Sequence, residues 1–402
     1  MIMMLLRPAN PDYILPQSVV GNELSFCLKL RVDDVVQEPS SGEDLQSTIS
    51  LWLMRAAERK RLAWVSREQV RVLRNQLKQA ARRETSLFWE QANDIFQGFP
   101  KLNTTIEEPE EGRTVGANYT VVKRVNRGGF GSVYLVKDVV DGSASALKAV
   151  GKTGLSKYSQ VQQLACEITT LERLRHPNIV AYRGAAQSCE HILLLTEFVG
   201  FKNMYDLLKA QQGGSGRCQG LHLSEARPLF RQVVEAVAYC HRNSLAHRDL
   251  KPENIVIAQD GKTAKLVDFG MADSVNAPWS LHGTLPFMPP EVLCQDRANY
   301  SPMAADIWSL GSVLMEMSCG LNTLPRKLGW RPPMQPSMEM GEELSAFLQA
   351  DGLLADILEA PLEREPHRGL EFCSLMHGML GFHPSRRWTS SAIATFSWVQ
   401  VD

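Results

Sequence analysis

The order of hydrophobic and polar residues along the chain predicts several distinct segments. In residues 1–43, which are otherwise poorly defined, apolar residues from Leu24 to Val32 alternate with polar ones, and this period of two predicts one half-buried strand. Residues 44–97 carry apolar positions at helical spacing without glycine or proline, so they predict a mainly helical region. Residues 98–118 combine glycine, proline and four glutamates, which indicates an acidic linker.

The remainder of the chain divides into a strand-rich part and a helix-rich part. Short alternating runs from Tyr119 to Ala149 are typical of an antiparallel sheet, and residues 191–199 predict a buried strand. Apolar residues at helical spacing predict a helix through residues 164–174, a long amphipathic helix from Leu223 to Tyr239 and a last helix over residues 389–399. Residues 321–345 are rich in proline and predict an irregular connector, with substrate docking as the alternative.

The helical region contains a strongly basic segment. Ten lysines and arginines and only two glutamates lie within residues 55–83, which gives this segment a net charge of +8. One interpretation is a solvated face on a helical hairpin. The other is a basic amphipathic helix that binds a regulatory partner such as calmodulin, an acidic protein or a membrane surface.

Composition limits the classes of partner and compartment. The 402 residues have a formal net charge of −1, which gives no overall attraction to nucleic acid, so no nucleic-acid partner is expected. No apolar run reaches the roughly 18 residues of a membrane span, and Arg7 and Pro8 interrupt the apolar start of the chain, so neither a transmembrane segment nor a signal peptide is expected. Eight scattered cysteines indicate free thiols in a reducing compartment, the cytoplasm or alternatively the nucleus.

Two short motifs carry groups that suit phosphoryl transfer. The sequence HRDLKPEN occupies residues 247–254, and Asp268-Phe269-Gly270 follows 14 residues after Asn254. Carboxylate and amide oxygens are hard donors that bind Mg²⁺, and positioned charges are most of what phosphoryl transfer needs. Together the two motifs resemble the catalytic loop and the magnesium loop of the eukaryotic protein kinases.

The resemblance implies a role for each polar group of these motifs. Asp249 would accept or orient the proton of the substrate hydroxyl, and Lys251 would contact the γ-phosphate of ATP. Asn254 and Asp268 would bind Mg²⁺. A lysine two residues after the catalytic aspartate matches the serine/threonine branch of the family.

A nucleotide cleft is implied by the preceding strands. The sequence VNRGGFGSV at residues 125–133 resembles the glycine-rich loop, with Asn126 where the first glycine is usual, and we expect weakened or altered nucleotide binding from this change. Lys148 resembles the strand lysine that holds the α- and β-phosphates, with Glu167 as its expected partner and Glu172 as the competing carboxylate. The resemblance implies nucleotide contacts from Val125, Asn126, Gly128, Gly129, Phe130, Gly131, Val133, Ala146, Lys148, Thr196, Glu197, Val199 and Val256.

Several further residues match supporting positions of the family. Leu171, Tyr182, His247 and Phe269 would stack as an apolar spine, with Asp306 at its base in a structural role. Thr284 would hydrogen-bond near Asp249 and Lys251, and Glu291 would pair with Arg387 in the helical lobe. Ser280 lies where an activating phosphate is common, and Arg248 is the usual cation for it. Because Asp273 would repel that phosphate, we expect Ser280 phosphorylation to tune activity without being essential.

The resemblance covers residues 119–402 and predicts an α+β, two-lobed protein kinase fold. A small antiparallel sheet lobe with one helix would span residues 119–199, and a larger helical lobe would span residues 200–402. The implied function is an ATP- and Mg²⁺-dependent serine/threonine protein kinase in signalling, similar to the calcium/calmodulin- and AMP-activated kinases, with protein substrates. The alternative is a weakly active or inactive pseudokinase scaffold that acts through the N-terminal helices. The oligomeric state stays open.

Overall fold

The computed structural model describes most of the chain after residue 92. The described residues are 93–96, 98–102, 110–116, 118–128, 131–155, 157–211, 220–276, 279–331, 334–350, 353–364 and 369–400. The predicted strand within residues 1–43, the basic segment 55–83 and nearly all of the helical region 44–97 lie outside them, so these remain predictions.

The chain divides into two compact units. The first contains residues 1–97 and 153–158, and its described part includes a 3₁₀ helix, Asn93–Phe96. The second contains residues 98–152 and 159–402 and is the unit discussed below. Within the described ranges, no helix is both long and apolar enough to cross a membrane.

The second unit begins with a six-stranded antiparallel sheet. Its strands are β1 (Thr114–Val115), β2 (Tyr119–Gly128), β3 (Gly131–Asp138), β4 (Ala144–Gly151), β5 (Tyr182–Gln187) and β6 (His191–Glu197). They lie in the order β1-β2-β3-β4-β6-β5. Alternate residues of β3 and β4 face a shared hydrophobic core, as the period of two requires.

The sheet starts earlier than the sequence predicts. β1 lies inside residues 98–118, the predicted acidic linker, and Thr114 pairs with Thr120 of β2. Val115 is buried in the sheet core beside Val121 and Tyr134. The linker prediction is therefore wrong for this short strand, because two residues are too few to produce a detectable alternation.

One helix, α1 (Tyr158–Arg173), connects β4 to β5. Its apolar residues recur every three or four positions, so they form one buried face. Glu167 is buried on that same face. A carboxylate placed among buried apolar side chains requires a charged partner.

The rest of the unit is mainly helical. The helices are α2 (Met204–Ala210), α3 (Leu223–Arg242), α4 (Pro290–Leu293), α5 (Pro302–Cys319), α6 (Thr323–Leu328), α7 (Met338–Gln349), α8 (Leu353–Arg364), α9 (Gly369–Met379), α10 (Ser390–Thr395) and α11 (Ser397–Gln400). The predicted long amphipathic helix is confirmed as α3. Every residue of α5 from Ala305 to Ser318 is buried, so this helix forms the centre of the helical part.

In the described part of the chain, five short strands lie among the helices. β7 (Lys202–Asn203), β9 (Ile255–Ile257) and β10 (Ala264–Leu266) form a small sheet in the order β10-β9-β7. β8 (Leu245–Ala246) pairs with β11 (Asp273–Ser274). β8 and β9 flank the predicted catalytic motif, and β10 and β11 flank the predicted magnesium motif. The pairs β8–β11 and β9–β10 therefore bring the two motifs together.

Two predictions for the helical part are corrected. Residues 321–345, predicted as an irregular connector, contain α6 and the first part of α7. The prolines do not prevent this, because Pro325 lies in the first turn of α6, where no backbone donor is needed, and Ser337 caps α7. The predicted last helix over residues 389–399 is two short helices separated by Phe396, whose backbone is extended.

Candidate active site

A buried carboxylate fixes the backbone of the predicted catalytic loop. Asp306, on α5, accepts hydrogen bonds from the backbone N–H groups of His247 and Arg248, each over 2.8 Å. Nε2 of His241, in the last turn of α3, lies 2.9 Å from the same carboxylate. Arg248 has a φ of 66°, which is costly for a non-glycine residue. Asp306 stabilises this turn, so it has the structural role expected of it.

Asp249 lies at the centre of a hydrogen-bond network. Nζ of Lys251 donates to Oδ2 of Asp249 over 2.6 Å and to Oγ1 of Thr284 over 2.8 Å. Thr284 Oγ1 in turn donates to Oδ1 of Asp249 over 2.8 Å, which confirms the predicted position of Thr284. Nδ2 of Asn254 donates to the backbone oxygen of Asp249 over 2.8 Å and to its Oδ2 over 3.2 Å. The network holds the carboxylate in one orientation.

A second network joins the sheet, α1 and the Asp268 motif. Nζ of Lys148 donates to both carboxylate oxygens of Glu167, over 2.8 and 2.6 Å. Glu167 is therefore the partner of Lys148, as expected over Glu172. Oδ1 of Asp268 lies 3.9 Å from the same ammonium group. The three residues come from β4, α1 and the loop after β10, so packing of the sheet against α1 determines their geometry.

Lys148 stabilises the charges of this network, while burial and the nearby carboxylate of Asp268 raise the pKa of Glu167 above its ordinary value. Burial acts to lower the pKa of Lys148, but the carboxylates of Glu167 and Asp268 outweigh it and raise the pKa above its ordinary value. Burial acts to raise the pKa of Asp268, but Lys148, His247 and Lys251 outweigh it and hold that pKa below 3.8. At neutral pH the site therefore presents an ammonium group beside an ionised carboxylate.

The donor set fits Mg²⁺. Asn254 and Asp268 line the same cleft, one offering an amide oxygen and the other an ionised carboxylate. Mg²⁺ is commonly bound by one or two carboxylates together with substrate phosphates and water. These two residues would hold the ion.

The second network faces one cleft of about 620 Å³, and Asn254 of the first network lines it too. Asp249 and Thr284 line a separate, smaller pocket. The cleft is lined by most of the predicted site residues, namely Val125, Asn126, Gly131, Val133, Ala146, Lys148, Glu167, Thr196, Glu197, Val199, Asn254, Val256 and Asp268. Gly129 and Phe130 lie outside the described residues, and the predicted contact of Gly128 stays a prediction. The volume is within the range of small-molecule sites.

The cleft also contains residues that the sequence analysis missed. Val180, Leu194 and Val267 add apolar surface, and Asp206 and Glu253 add acidic groups. Leu194 was detectable, because it lies two residues before Thr196 on β6 and so shares its face. Val180 and Val267 lie outside regular strands and helices, where no periodicity identifies a face.

The segment between the two lobes is held by two hydrogen bonds to Glu197 and by a close approach of Gly200 to β9. Oε1 of Glu197 accepts hydrogen bonds from Nζ of Lys265 over 2.7 Å and from the backbone N–H of Ala181 over 2.8 Å. Gly200 lies so close to β9 that a Cβ there would come within 2.2 Å of the backbone oxygen of Ile257. The side chain of Glu197 is thus occupied in binding Lys265, and Glu197 also lines the cleft.

Asn126 lies in β2, directly after an irregularity in the pairing register between Arg124 and Asn126. It pairs with Val133 of β3, and its Oδ1 accepts a hydrogen bond from the backbone N–H of Arg127 over 2.7 Å. Its backbone has no positive φ, so the conformational freedom of glycine is not required at this residue. The expected effect of Asn126 on nucleotide affinity stays a prediction.

Two supporting contacts expected from the sequence are confirmed. NH1 and NH2 of Arg387 each donate to a carboxylate oxygen of Glu291 over 2.7 Å. The rings of His247 and Phe269 meet edge to face, with centroids 4.8 Å apart. The contacts of Leu171 and Tyr182 in the proposed spine stay predictions.

Comparison with known proteins gives a consistent result. Residues 119–399 match the protein kinase domain family. A "Putative sperm motility kinase W" of Mus musculus is 32% identical over 260 residues, which is 63% of this chain and 49% of that protein. The "CBL-interacting serine/threonine-protein kinase 9" of Arabidopsis thaliana is 35% identical over 52% of this chain and 46% of that protein. The human "SNF-related serine/threonine-protein kinase" is 29% identical over 72% of this chain and 34% of its own length.

The chain spans half or less of the length of the curated relatives it matches. Among solved structures, the crystal structure of a kinase domain superposes with a TM-score of 0.56 at 17% identity, covering 72% of this chain and 98% of that one. This likeness concerns the fold. The predicted α+β, two-lobed fold is confirmed by it and by the sheet and helices described above.

Proposed function

This chain belongs to the protein kinase domain family, and we propose its function from that premise. The proposed reaction is transfer of the γ-phosphoryl group of ATP to a serine or threonine hydroxyl of a protein. The observation that carries the proposal is the hydrogen-bonded group of Asp249, Lys251 and Thr284, which joins Asn254 in one network. Lys148 and Asp268 face the same cleft.

Each residue has a defined task in this mechanism. The carboxylate of Asp249, oriented by Asn254 and Thr284, accepts a hydrogen bond from the substrate hydroxyl and then its proton. Lys251 lies beside that carboxylate and neutralises charge on the transferred phosphoryl group. Lys148, held by Glu167, binds the phosphates that remain with the nucleotide. Mg²⁺, when bound by Asn254 and Asp268, supplies further neutralisation of the phosphate oxygens.

The choice of a protein hydroxyl as acceptor has two supports. Lys251 follows the pattern of the serine/threonine branch, and two of the similar proteins are named as serine/threonine-protein kinases. We further propose a signalling role in a reducing compartment, the cytoplasm or the nucleus. The described cysteines, all of them free thiols, support that setting.

The test is transfer from radiolabelled ATP to a generic basic protein, with Mg²⁺, by the full chain and by Asp249→Asn. Asp249→Asn preserves the size of the side chain and removes the proton acceptor, so we expect activity to fall by roughly 10³-fold or more. Binding of ATP should be retained in the variant. Equal activity in both proteins would refute the assignment, and ATP binding without transfer in the wild type would favour the alternative, a pseudokinase scaffold.

A further inference from the structure

Arg248, next to the catalytic Asp249, is buried and points into the activation segment, which we define as residues 268–291. Its side chain is 5% exposed. A guanidinium group removed from water needs a counter-charge and acceptors for its five N–H donors. The partners of this guanidinium therefore determine how stably the activation segment lies against the catalytic loop.

Three residues of the activation segment meet this guanidinium. NH1 donates to Oδ2 of Asp273 over 2.8 Å. NH2 donates to the hydroxyl of Ser280 and to Nδ1 of His282, the latter over 2.9 Å. Because arginine is only a donor, Nδ1 of His282 must be unprotonated. The negative charge in this cluster is therefore supplied by Asp273, in addition to the repulsion of a phosphate that the sequence predicts for this residue.

The segment is also fixed on both sides of the cluster. β11 places Asp273 opposite Ala246 of β8, and the backbone N–H of Val275 donates to the oxygen of Ser244 over 3.1 Å. Further along, Thr284 donates to Asp249. The contacts of Arg248 thus join two parts of the segment that are already aligned with the catalytic loop, and they form with Ser280 unmodified.

A phosphate on Ser280 would change the charge balance of this cluster. In the unmodified chain the charges of Arg248 and Asp273 sum to zero. A phosphate on Ser280 would add roughly −1.5 to −2 charges at neutral pH. Asp273 would then share one guanidinium with a dianion, and the two anions would repel each other. A cluster built to receive phosphate would carry an excess of cations instead.

We propose that Asp273 is the built-in counter-ion of Arg248 and that it positions the activation segment for catalysis without phosphorylation of Ser280. Asp273 acts through Arg248 and is a positioning residue that does not touch the substrate. This inference rests on the proposed kinase function. It makes the unphosphorylated chain the active form.

The experiment compares full chains freed of phosphate and checked by mass spectrometry. Asp273→Asn removes the counter-ion and keeps the shape, so kcat/KM for a protein substrate should fall about tenfold, while the Kd for ATP stays unchanged. Ser280→Ala should retain activity within about twofold, since the hydroxyl supplies no charge, His282 still accepts from the same nitrogen, and Ser280 is only half-buried, so water can replace its oxygen. Asp356→Asn, an exposed aspartate on α8, is the matched control and should retain wild-type activity.

A rescue separates positioning from a general loss of stability. In the double variant Asp273→Asn with Ser280→Glu, a carboxylate returns to the same guanidinium from the other residue, and most of the lost activity should return. Absence of rescue, or wild-type activity in Asp273→Asn, would overturn the proposal.

A wild-type chain with phosphoserine incorporated at position 280 completes the comparison. If only this form is active, Asp273 is insufficient and the inference is overturned, while the proposed function stands. If neither form transfers phosphate, the proposed function fails and the inference fails with it. We expect the phosphorylated chain to be no more active than the unmodified one.

Discussion

Arg387 has a complete set of partners although it is buried. Besides its two bonds to Glu291, its NH1 donates to the backbone oxygen of Ala304 over 2.9 Å and its Nε donates to that of Gly381 over 2.8 Å. The guanidinium also lies over the ring of Trp308, 5.2 Å from the centroid. Bidentate, charge-assisted bonds of this kind are strong, and removal of one partner leaves a buried charge uncompensated.

Replacement of Arg387 should therefore destabilise the helical part severely. In Arg387→Met, Glu291 remains buried without a cation, and we expect the free energy of unfolding to fall by about 3–5 kcal/mol. Urea unfolding followed by circular dichroism measures this change. Arg386→Met is the control, because Arg386 is exposed, and it should change stability by about 0.5 kcal/mol or less. A similar effect of both substitutions would contradict the role of the pair.

Glu316 is another buried acidic residue, and burial changes its pKa. Burial raises its pKa to about 7, against a lowering contribution from the backbone N–H of Asn322, which donates to Oε1 over 2.9 Å. Glu253 raises the pKa further, and Arg326 lowers it. The carboxyl group is thus close to half protonated at neutral pH.

The raised pKa of Glu316 predicts a pH-dependent stability. The folded state binds the proton more tightly than the unfolded state, so this contribution is full below about pH 4.5 and is lost as the pH rises through 7. Glu316→Gln keeps the acceptor for Asn322 and cannot ionise. Between about pH 5.5 and 8.5, we expect the stability of the variant to rise relative to wild type by on the order of 2 kcal/mol. Urea unfolding at the two pH values measures this, and a constant difference would contradict the assignment.

Among the elements, the segment between the lobes depends on close contact with β9. Gly200 → Ala places a Cβ against the backbone oxygen of Ile257, and neither backbone can move without disturbing the small sheet. We expect a loss of about 2 kcal/mol in the free energy of unfolding and weaker nucleotide binding, because Gly200 lines the cleft. Thermal unfolding and nucleotide titration measure the two effects.

The matched control is Gly184→Ala in β5, where an added Cβ meets no atom within 4 Å and the backbone has no positive φ. This variant should be neutral or slightly stabilised. If Gly200→Ala were equally neutral, the close contact would have no energetic consequence.

Elements with a strong periodic pattern were predictable, and elements without one were not. α3 buries side chains at helical spacing and β6 buries a continuous apolar run, and both patterns can be detected in the sequence. β1 has only two residues, and its existence depends on pairing with β2. α6 and α7 were obscured by prolines, which are compatible with helices at the positions they occupy here. The breaks between short helices depend on tertiary packing, which no local pattern records.

At the scale of the whole molecule, the candidate site was more predictable than the surrounding fold. Most of its polar residues belong to contiguous motifs. The structure brings Lys148, Glu167, Asn254 and Asp268 to one cleft, and Asn254 hydrogen-bonds to Asp249. The apolar lining was less accessible from sequence, because residues such as Val180 reach the cleft only through packing. The pairing of Arg248 with Asp273 was also missed, because side-chain charge alone does not reveal which cation an acid meets.

A cleft assembled from both lobes should couple nucleotide binding to global stability. A ligand that binds only the folded state at about 100 times its Kd adds ~2.7 kcal/mol to the free energy of unfolding. We expect this gain for ATP with Mg²⁺, measured by thermal unfolding. Asp268→Asn should lose the part of the gain that requires Mg²⁺ and keep the part due to ATP alone. An equal response to Mg²⁺ in both proteins would contradict the assigned role of Asp268.

The position of Asp306 in the chain has a consequence for protein synthesis. The carboxylate that holds the catalytic loop is encoded 59 residues after the N–H group of His247 that it binds, and His241 meets Ser390, which is 149 residues further along. As the ribosome translates from the N-terminus, the loop emerges long before the groups that give it its shape. A nascent chain should therefore hold the proposed catalytic residues in an inactive arrangement at least until α5 has emerged, and the proposed phosphoryl transfer should begin only after that point.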